Sequence, residues 1–266
     1  MIDISKRNNV RRFGEGKQTM MFAHGFGCDH NVWRHLVRAF ENDYNILTFD
    51  YVGAGQSDLA AYDPIRYNSL NGYAQDILEI CEAFHISDAI LVCHSVSSMI
   101  GLLAAVQNPA AFSQLIFVAP SPCYFNDGPY TGGMEKGDME ALLEVMSSNY
   151  LGWSATMAPV VMGNADQPEL AEELNNSFCA TDPDIAKQFA RVTFLSDNRS
   201  DLGKLKVPSL TLQCTDDVLA PLEVGHYLND QIQNNTLTVL QATGHCPHLS
   251  APAETISQIK AYLHQP

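Results

Sequence analysis

The chain has 266 residues, of which 46% are hydrophobic and 17% are charged, and this is the composition of a folded globular protein and not of a disordered one. Its formal net charge of −15 argues against binding to nucleic-acid phosphates and against binding to an anionic membrane surface. The length suits one domain with an insertion or two small domains.

The N-terminal residues lack the apolar stretch of a signal peptide, and no run approaches the roughly 18 apolar residues that a membrane span needs. The seven cysteines are scattered, odd in number and without a C-x-x-C pair. That spacing is typical of reduced thiols and not of a disulfide framework or a zinc site. We therefore expect a cytoplasmic protein with no membrane and no nucleic-acid partner.

Short apolar runs alternate with helical patterns along most of the chain. The predicted strands are 19–24, 44–50, 89–93, 115–119, 209–214 and 237–242, and the predicted helices are 31–40, 69–84, 97–107, 222–232 and 253–263. The polar segment 2–16 is expected to form a hairpin at one sheet edge. Several strands are almost continuously apolar, as buried parallel strands are. The pattern predicts an α/β fold with a mostly parallel sheet and helices on both faces.

The alternation fails between about residues 122 and 192. This region shows four helical patterns, at 139–150, 155–162, 168–179 and 183–192, and no good strand. We predict a helical lid over residues 122–192, inserted into a core formed by 1–121 and 193–266. Five methionines (134, 139, 146, 157 and 162) lie in it. They either line a pocket or form the core of the lid itself, because methionine fills irregular apolar space.

Ser95 lies where the predicted strand 89–93 meets a helix, in the sequence Cys-His-Ser-Val-Ser. Serine is a common N-cap, which is one interpretation of this position. A serine on a sharp strand-to-helix turn also presents its hydroxyl above the C-terminal edge of the sheet, where α/β folds bind ligands. The usual nucleophile elbow is G-x-S-x-G, so this motif alone leaves both interpretations open.

Two further residues favour catalysis by Ser95. A serine hydroxyl needs a base, and the base needs an orienting carboxylate. Asp217 follows the predicted strand 209–214, and His245 follows the strand 237–242. Serine, acid and histidine therefore occur in the order expected for this fold, each at the C-terminal end of a strand. We predict a triad of Ser95, His245 and Asp217.

Neighbouring residues compete for these roles. Asp216 is the rival of Asp217, and His248 is the rival of His245. His245 is favoured because the preceding glycine permits a turn that brings the imidazole over the sheet. His248 is expected to be a hydrogen-bonded structural histidine, and His94 is expected to support the elbow. Cys93 lies within the strand and is not expected to act as a nucleophile.

Acyl transfer also needs N–H donors for the developing oxyanion. The amide of Val96, directly after the serine, is one candidate. The amide of Phe26, in His-Gly-Phe-Gly after an early strand, is the other, although this stretch can also be a plain glycine turn. The Gly-x-Gly of segment 50–58 lacks the third glycine and a ribose-binding acid of a dinucleotide site. No metal-ligand spacing occurs either, so no cofactor is expected.

The chain resembles the α/β-hydrolase superfamily and, within it, the RsbQ-like proteins and the karrikin and strigolactone receptors. The similar stretches run nearly from end to end and include FAHGFGCDHNVW, FDYVGAGQSDLAAYD, VPSLTLQCTDDVLAP and GHCPHLSAP. The resemblance implies the same triad and oxyanion amides. It also implies a four-helix lid over a small apolar pocket to which Phe125, Trp153 and Phe194 contribute.

The function implied is that of a serine hydrolase that cleaves a small apolar ester or lactone through an acyl-enzyme. The alternative is a signalling receptor with slow hydrolysis that binds a small hydrophobic ligand and activates a partner phosphatase with a sensory domain in a stress response. One departure bears on turnover: the family has Gly-His-Ser-Val-Gly, and Cys93 and Ser97 replace both glycines here. Each adds a side chain where strand and helix pack closely, which is expected to affect activity more than fold.

Overall fold

The computed structural model describes residues 3–264. Within them, seven strands form one sheet: β1 (Arg11–Phe13), β2 (Thr19–Ala23), β3 (Asn45–Thr48), β4 (Ala89–His94), β5 (Phe112–Val118), β6 (Ser209–Asp216) and β7 (Asn235–Thr243). Their spatial order is β1-β3-β2-β4-β5-β6-β7. Only β1 runs antiparallel to its neighbour among these strands. The predicted α/β fold with a mostly parallel sheet is confirmed.

The N-terminal segment differs from the expected hairpin. Ile4–Arg7 forms a short helix, α1, and β1 then pairs with β3 at the edge of the sheet. The helix begins because the Asp3 carboxylate accepts a hydrogen bond from the Lys6 amide at 3.2 Å, which is the action of an N-cap. The edge position was predicted correctly and the hairpin was wrong. Ile2, the first residue of that prediction, lies outside the described residues.

The helices of the core cover both faces of the sheet. They are α2 (Arg34–Phe40), α3 (Leu70–Ala83), α4 (Val96–Gln107), α9 (Arg199–Leu202), α10 (Leu222–Gln231), α11 (Pro247–Ser250) and α12 (Pro252–Leu263). Successive residues of a strand point to opposite faces. In β4, Ile90 and Val92 join the apolar core shared with α2 and α12, whereas Leu91 and Cys93 join the core shared with α3 and α4. The sheet therefore has a packed core on each side.

Four helices occupy the interval between β5 and β6: α5 (Lys136–Ser148), α6 (Tyr150–Met162), α7 (Pro168–Ala180) and α8 (Pro183–Phe194). Helix α6 begins five residues before its predicted start, because the side chain of Asn149 accepts from the Gly152 amide at 3.1 Å and caps a new helix. It ends at Gly163, which adopts a left-handed conformation with φ of 73°. No helix within residues 3–264 has the length and apolarity to cross a membrane.

Candidate active site

Ser95 sits at the turn between β4 and α4 with φ of 55° and ψ of −124°. A positive φ is unfavourable for a residue with a side chain, and such strain is common where a fold holds a functional group in place. The Ser95 amide donates to the Val118 carbonyl at 2.9 Å. Its hydroxyl makes no N-cap hydrogen bond to α4. The capping interpretation of this serine is therefore wrong, and its side chain is available for other contacts.

The side chains of Ser95, His245 and Asp217 form one hydrogen-bonded chain. The Ser95 Oγ lies 2.7 Å from Nε2 of His245, and Nδ1 of His245 lies 2.7 Å from Oδ2 of Asp217. All three residues are buried, with exposures of 6% or less. A carboxylate on Nδ1 fixes the tautomer in which Nε2 is free to accept the serine proton. The three strand ends that the sequence singled out therefore converge on one point.

Asp217 and not Asp216 contacts the histidine. Strand β6 ends at Asp216, whose side chain is exposed and whose carbonyl accepts from the Gly244 amide at 2.7 Å. The next residue turns inward, and Oδ1 of Asp217 accepts from the amides of Leu219 and Ala220 at 2.9 and 3.2 Å. These two amides hold the carboxylate, so its second oxygen faces the imidazole.

The loop that carries His245 is also fixed on its other side. Gly244 has φ of 85°, which a residue without a Cβ adopts without strain. The Nε2–H of His94 donates to the carbonyl of His245 at 2.8 Å. Burial lowers the pKa of His94 well below its ordinary value, so its ring is a neutral donor. His94 thus supports the loop of His245, whereas the sequence led us to expect support for the elbow of Ser95.

The two residues that replace the usual glycines fit without opening the elbow. Cys93 is fully buried and its sulfur packs against Gly101 of α4, where a Cβ would overlap it. Burial raises the pKa of the Cys93 thiol, which keeps it neutral. The hydroxyl of Ser97 donates to the His24 carbonyl and lies 3.0 Å from the hydroxyl of Tyr51. Gly101 therefore leaves room for the Cys93 sulfur, and the Ser97 hydroxyl is satisfied by hydrogen bonds.

The amides of Phe26 and Val96 have no hydrogen-bond partner within residues 3–264. Val96 is the first residue of α4, so its amide belongs to the N-terminus of a helix, where the dipole favours negative charge. Phe26 lies between two glycines in the loop after β2, and Gly27 has φ of 67°. Val96 directly follows Ser95, and Phe26 lines the same cavity as Ser95, so their unpaired amides are suitable candidates for an oxyanion site.

A small apolar cavity of about 40 Å³ lies between Ser95 and the lid helices. Trp153 and Phe194, both predicted to line a pocket, face it together with Phe26. The ring of Phe26 lies 6.3 Å from that of Trp153 and 5.7 Å from that of Phe194. Of the five lid methionines, Met139 and Met157 line the cavity. The rest of the lid wall includes Leu142, Val161, Leu174 and Phe178.

Phe125 does not line this cavity, which corrects the prediction for that residue. Its ring lies beneath the Lys136 ammonium at 5.3 Å, toward the start of α5. The adjacent Tyr124 faces the nucleophile instead, with its hydroxyl 3.2 Å from the Ser95 Oγ and its ring 5.2 Å from Phe194. Neighbouring residues of an extended segment point in opposite directions, so only one of Tyr124 and Phe125 can face the serine.

The comparisons with known proteins agree with this geometry. A family model described as the alpha/beta hydrolase family matches residues 20–258. The chain belongs to the α/β-hydrolase family. A karrikin insensitive 2 receptor of Petunia hybrida is 37% identical over 262 residues, which cover 98% of this chain and 97% of the receptor. A strigolactone esterase of Arabidopsis thaliana is 37% identical over 98% of each chain.

A solved hydrolase from Oleispira antarctica is similar to this α/β-hydrolase in both sequence and structure. It is 42% identical, with a TM-score of 0.97, over 99% of this chain and 97% of that one. The sequence resemblance to the α/β-hydrolases and to the karrikin and strigolactone receptors is confirmed by these matches. The narrower RsbQ-like role stays a prediction.

The Gly-x-Gly segment of this α/β-hydrolase has a structural role. Asp50, at its start, is fully buried and accepts from both the amide and Nδ1 of His30, at 2.8 and 2.9 Å. Its other oxygen accepts from Asn9 at 2.7 Å and from the Gln56 amide at 2.9 Å. Burial opposes ionisation, but the hydrogen bond from His30 and the other donors outweigh it and lower the pKa of Asp50 to about 2. Through Asp50, this segment is hydrogen-bonded to the parts of the chain that carry Asn9 and His30.

His248 is packed and not hydrogen-bonded, contrary to the expectation for it. It is fully buried, and neither ring nitrogen has a partner within residues 3–264. Its ring lies 4.7 Å from that of Trp33 and 4.4 Å from that of His94. Burial, together with the neighbouring His245, lowers the pKa of His248 to about 3. The neutral imidazole of His248 therefore packs against the rings of Trp33 and His94.

This burial predicts a loss of stability in acid that depends on His248. The unfolded imidazole binds a proton below its ordinary pKa of about 6.5, whereas the folded one stays neutral, so stability is lost as the pH falls below 6.5. At pH 5 the loss is about 2 kcal/mol. We expect His248→Phe to remove about that much of the difference in unfolding free energy between pH 7.5 and pH 5.

Urea unfolding at the two pH values measures this effect. His226→Gln, on the exposed side of α10, serves as the control and should retain the wild-type pH dependence. If the phenylalanine variant loses as much stability in acid as the wild type, His248 is not the group responsible.

Proposed function

We propose that the protein hydrolyses small apolar carboxylic esters or lactones through an acyl-enzyme formed on Ser95. The observation that carries this proposal is the continuous hydrogen-bonded chain from Asp217 through His245 to the serine hydroxyl, at the floor of an apolar cavity. An imidazole in contact with a hydroxyl, with its far nitrogen held by a carboxylate, is the arrangement that converts a weak nucleophile into an effective one.

In the proposed reaction, the Ser95 oxygen attacks the substrate carbonyl carbon while Nε2 of His245 takes the serine proton. The carbonyl oxygen becomes an oxyanion that the amides of Phe26 and Val96 stabilise, each by about 3–4 kcal/mol. Asp217 stabilises the imidazolium and keeps the ring oriented. The proton then passes to the leaving alkoxide as the ester bond breaks. A water molecule, activated by the same histidine, attacks the acyl-enzyme and releases the acid.

The cavity supports a small and apolar substrate. Its lid wall is built from aromatic, methionine and aliphatic side chains, which offer no partner to a charged group. The relatives favour an ester or lactone, since their names include a strigolactone esterase of Arabidopsis thaliana and, at 21% identity, a 3-oxoadipate enol-lactonase of Acinetobacter baylyi. No cofactor enters the proposed chemistry.

A p-nitrophenyl ester series tests the substrate size. We expect kcat/KM to be highest for the acetate and to fall by at least about tenfold for the octanoate, because a pocket that cannot take the extra methylenes loses their binding energy. The longer chain also has to displace the lid. The absorbance of released nitrophenolate, followed over a range of ester concentrations, gives kcat and KM. Hydrolysis fastest for the octanoate, or no hydrolysis of any ester, would contradict the proposal.

A second candidate function is that of a ligand receptor in which hydrolysis is slow. The observation that favours it is the similarity to karrikin insensitive 2 receptors of Petunia hybrida, at 35–37% identity. The partner phosphatase is a prediction from the RsbQ resemblance. Turnover in minutes together with ligand-dependent capture of a purified sensory-domain phosphatase supports this candidate. Turnover in seconds with no capture supports the hydrolase alone.

A further inference from the structure

The end of lid helix α6 rests directly on the loop that carries His245. The amide of His245 donates to the carbonyl of Val161, in the last turn of α6, at 2.9 Å. Gly163 and Gly244 pack against each other, and a Cβ on Gly244 would overlap the carbonyl oxygen of Met162. Only glycine permits this close approach of two backbones.

Asn164 joins the same two segments with its side chain. Its Nδ2 donates to the Met162 carbonyl at 2.7 Å and to the Thr243 carbonyl at 2.9 Å. One amide nitrogen has two hydrogens, so it serves both acceptors at once. The first acceptor belongs to the end of the lid helix, and the second lies two residues before His245. The side chain of Asn164 is half-buried.

Two contacts between the lid and the core lie on α7 and end on groups other than His245. Arg34 of α2 makes a two-point ion pair with Glu173 of α7, at 2.6 and 2.8 Å. The hydroxyl of Ser177 donates to the Gly27 carbonyl at 2.7 Å. These contacts fasten α7 to the core next to the Phe26 loop. The contacts at the end of α6 are different, because one of them joins the Val161 carbonyl to the backbone amide of His245, the proposed base.

The residue of α6 that holds the His245 loop is also part of the cavity wall. Val161 lines the cavity with its side chain, while its carbonyl accepts from the amide of His245. One residue therefore belongs both to the cavity wall and to the support of the histidine loop.

We propose that Asn164 is a positioning residue that fastens the end of lid helix α6 to the loop of His245 and thereby holds the histidine beside Ser95. The catalytic part of this inference rests on the proposed function. The mechanical part does not, because it concerns only the attachment of two segments.

Hydrogen exchange tests the attachment without any reaction. In Asn164→Ala, peptides covering 159–165 and 243–247 should both exchange about tenfold faster than in the wild type, since one hydrogen-bonded link of about 1.5 kcal/mol is lost. Asn164→Asp keeps the volume but replaces two donors with acceptors that face two carbonyl oxygens, so its effect should be larger. Asp166→Ala, exposed in the same loop, is the control and should exchange as the wild type does.

Kinetics test the positioning. On p-nitrophenyl acetate, both Asn164 variants should lower kcat by about tenfold or more and leave KM within about twofold, because a misplaced base affects the reaction and not ground-state binding. A lower melting temperature with unchanged exchange and unchanged kcat would overturn the inference, since it describes a residue that only stabilises the fold. If the wild type hydrolyses no ester, the proposed function fails, while the exchange result still decides whether Asn164 makes the attachment.

Discussion

Replacement of Ser95 with alanine is expected to lower kcat for ester hydrolysis on the order of 10⁶-fold, as loss of the nucleophile does in a serine protease triad. The Ser95 hydroxyl lies 2.7 Å from the base. Burial raises the pKa of the adjacent Cys93 thiol and of the nearby Tyr124 hydroxyl, so neither competes as an ionised nucleophile. Binding should persist, since the cavity walls are unchanged. Nitrophenolate release and ligand titration monitored by Trp153 fluorescence separate the two effects.

Ser113→Ala is the matched control for this substitution. Ser113 lies near the start of β5, at the opposite end of the sheet from the elbow, where its hydroxyl donates to the Asp88 carbonyl at 3.0 Å. Its loss should leave kcat within about twofold. A Ser95→Ala variant that keeps more than a small fraction of the wild-type rate would show that another group performs the attack.

Asp217→Asn is expected to lower kcat by about 10⁴-fold with little change in fold, as the equivalent change does in a serine protease triad. The asparagine would keep the volume and accept from the amides of Leu219 and Ala220 with its oxygen. Its amide group would then face Nδ1 of His245 as a donor. That reverses the tautomer, so Nε2 carries the proton and cannot take another from the serine.

Asp216→Asn is the control, because it changes the same functional group one residue away. The Asp216 side chain is exposed and Nδ1 of the imidazole contacts Asp217 instead, so kcat should change by less than about twofold. Equal losses in the two variants would indicate that the acidic loop as a whole, and not the contact with His245, sets the rate. A near-normal Asp217→Asn variant would remove the orienting role altogether.

Much of this architecture could be predicted from local patterns. The apolar runs of β2, β4 and β6 are buried on both faces and leave little room for another interpretation. Parallel strands bring their C-terminal ends to one edge, so residues that follow three such strands lie near one another whatever the loops do. That is why Ser95, Asp217 and His245 could be singled out together although 150 residues separate the first from the last.

Other features depend on the direction of single side chains, which the chain does not encode locally. Tyr124 and Phe125 are adjacent aromatic residues after β5, and only the path of the loop decides which one reaches the serine. His248 follows His245 by three residues, and only the packing of the folded chain leaves both of its ring nitrogens without hydrogen-bond partners within the described residues. Asn164 had no pattern that set it apart, since its two acceptors come from separate segments.

Residues outside the elbow motif decide how Cys93 and Ser97 are accommodated. Cys93 and Ser97 each add a side chain where strand and helix pack closely, which is expected to affect activity more than fold. The sulfur of Cys93 lies against a glycine of α4, and the hydroxyl of Ser97 is used by the His24 carbonyl. Both compensations lie on elements other than the motif. Ser95 keeps the strained turn and the contact with its base.

The most direct measurement is the mass of the intact protein after rapid acid quenching of a reaction with p-nitrophenyl acetate, followed by peptide mapping. We expect one acetyl group per chain, located on the serine at the β4–α4 turn, that disappears as the substrate is exhausted. Turnover with the acetyl group on a different residue, or steady hydrolysis by a protein in which that serine is alanine, would contradict it.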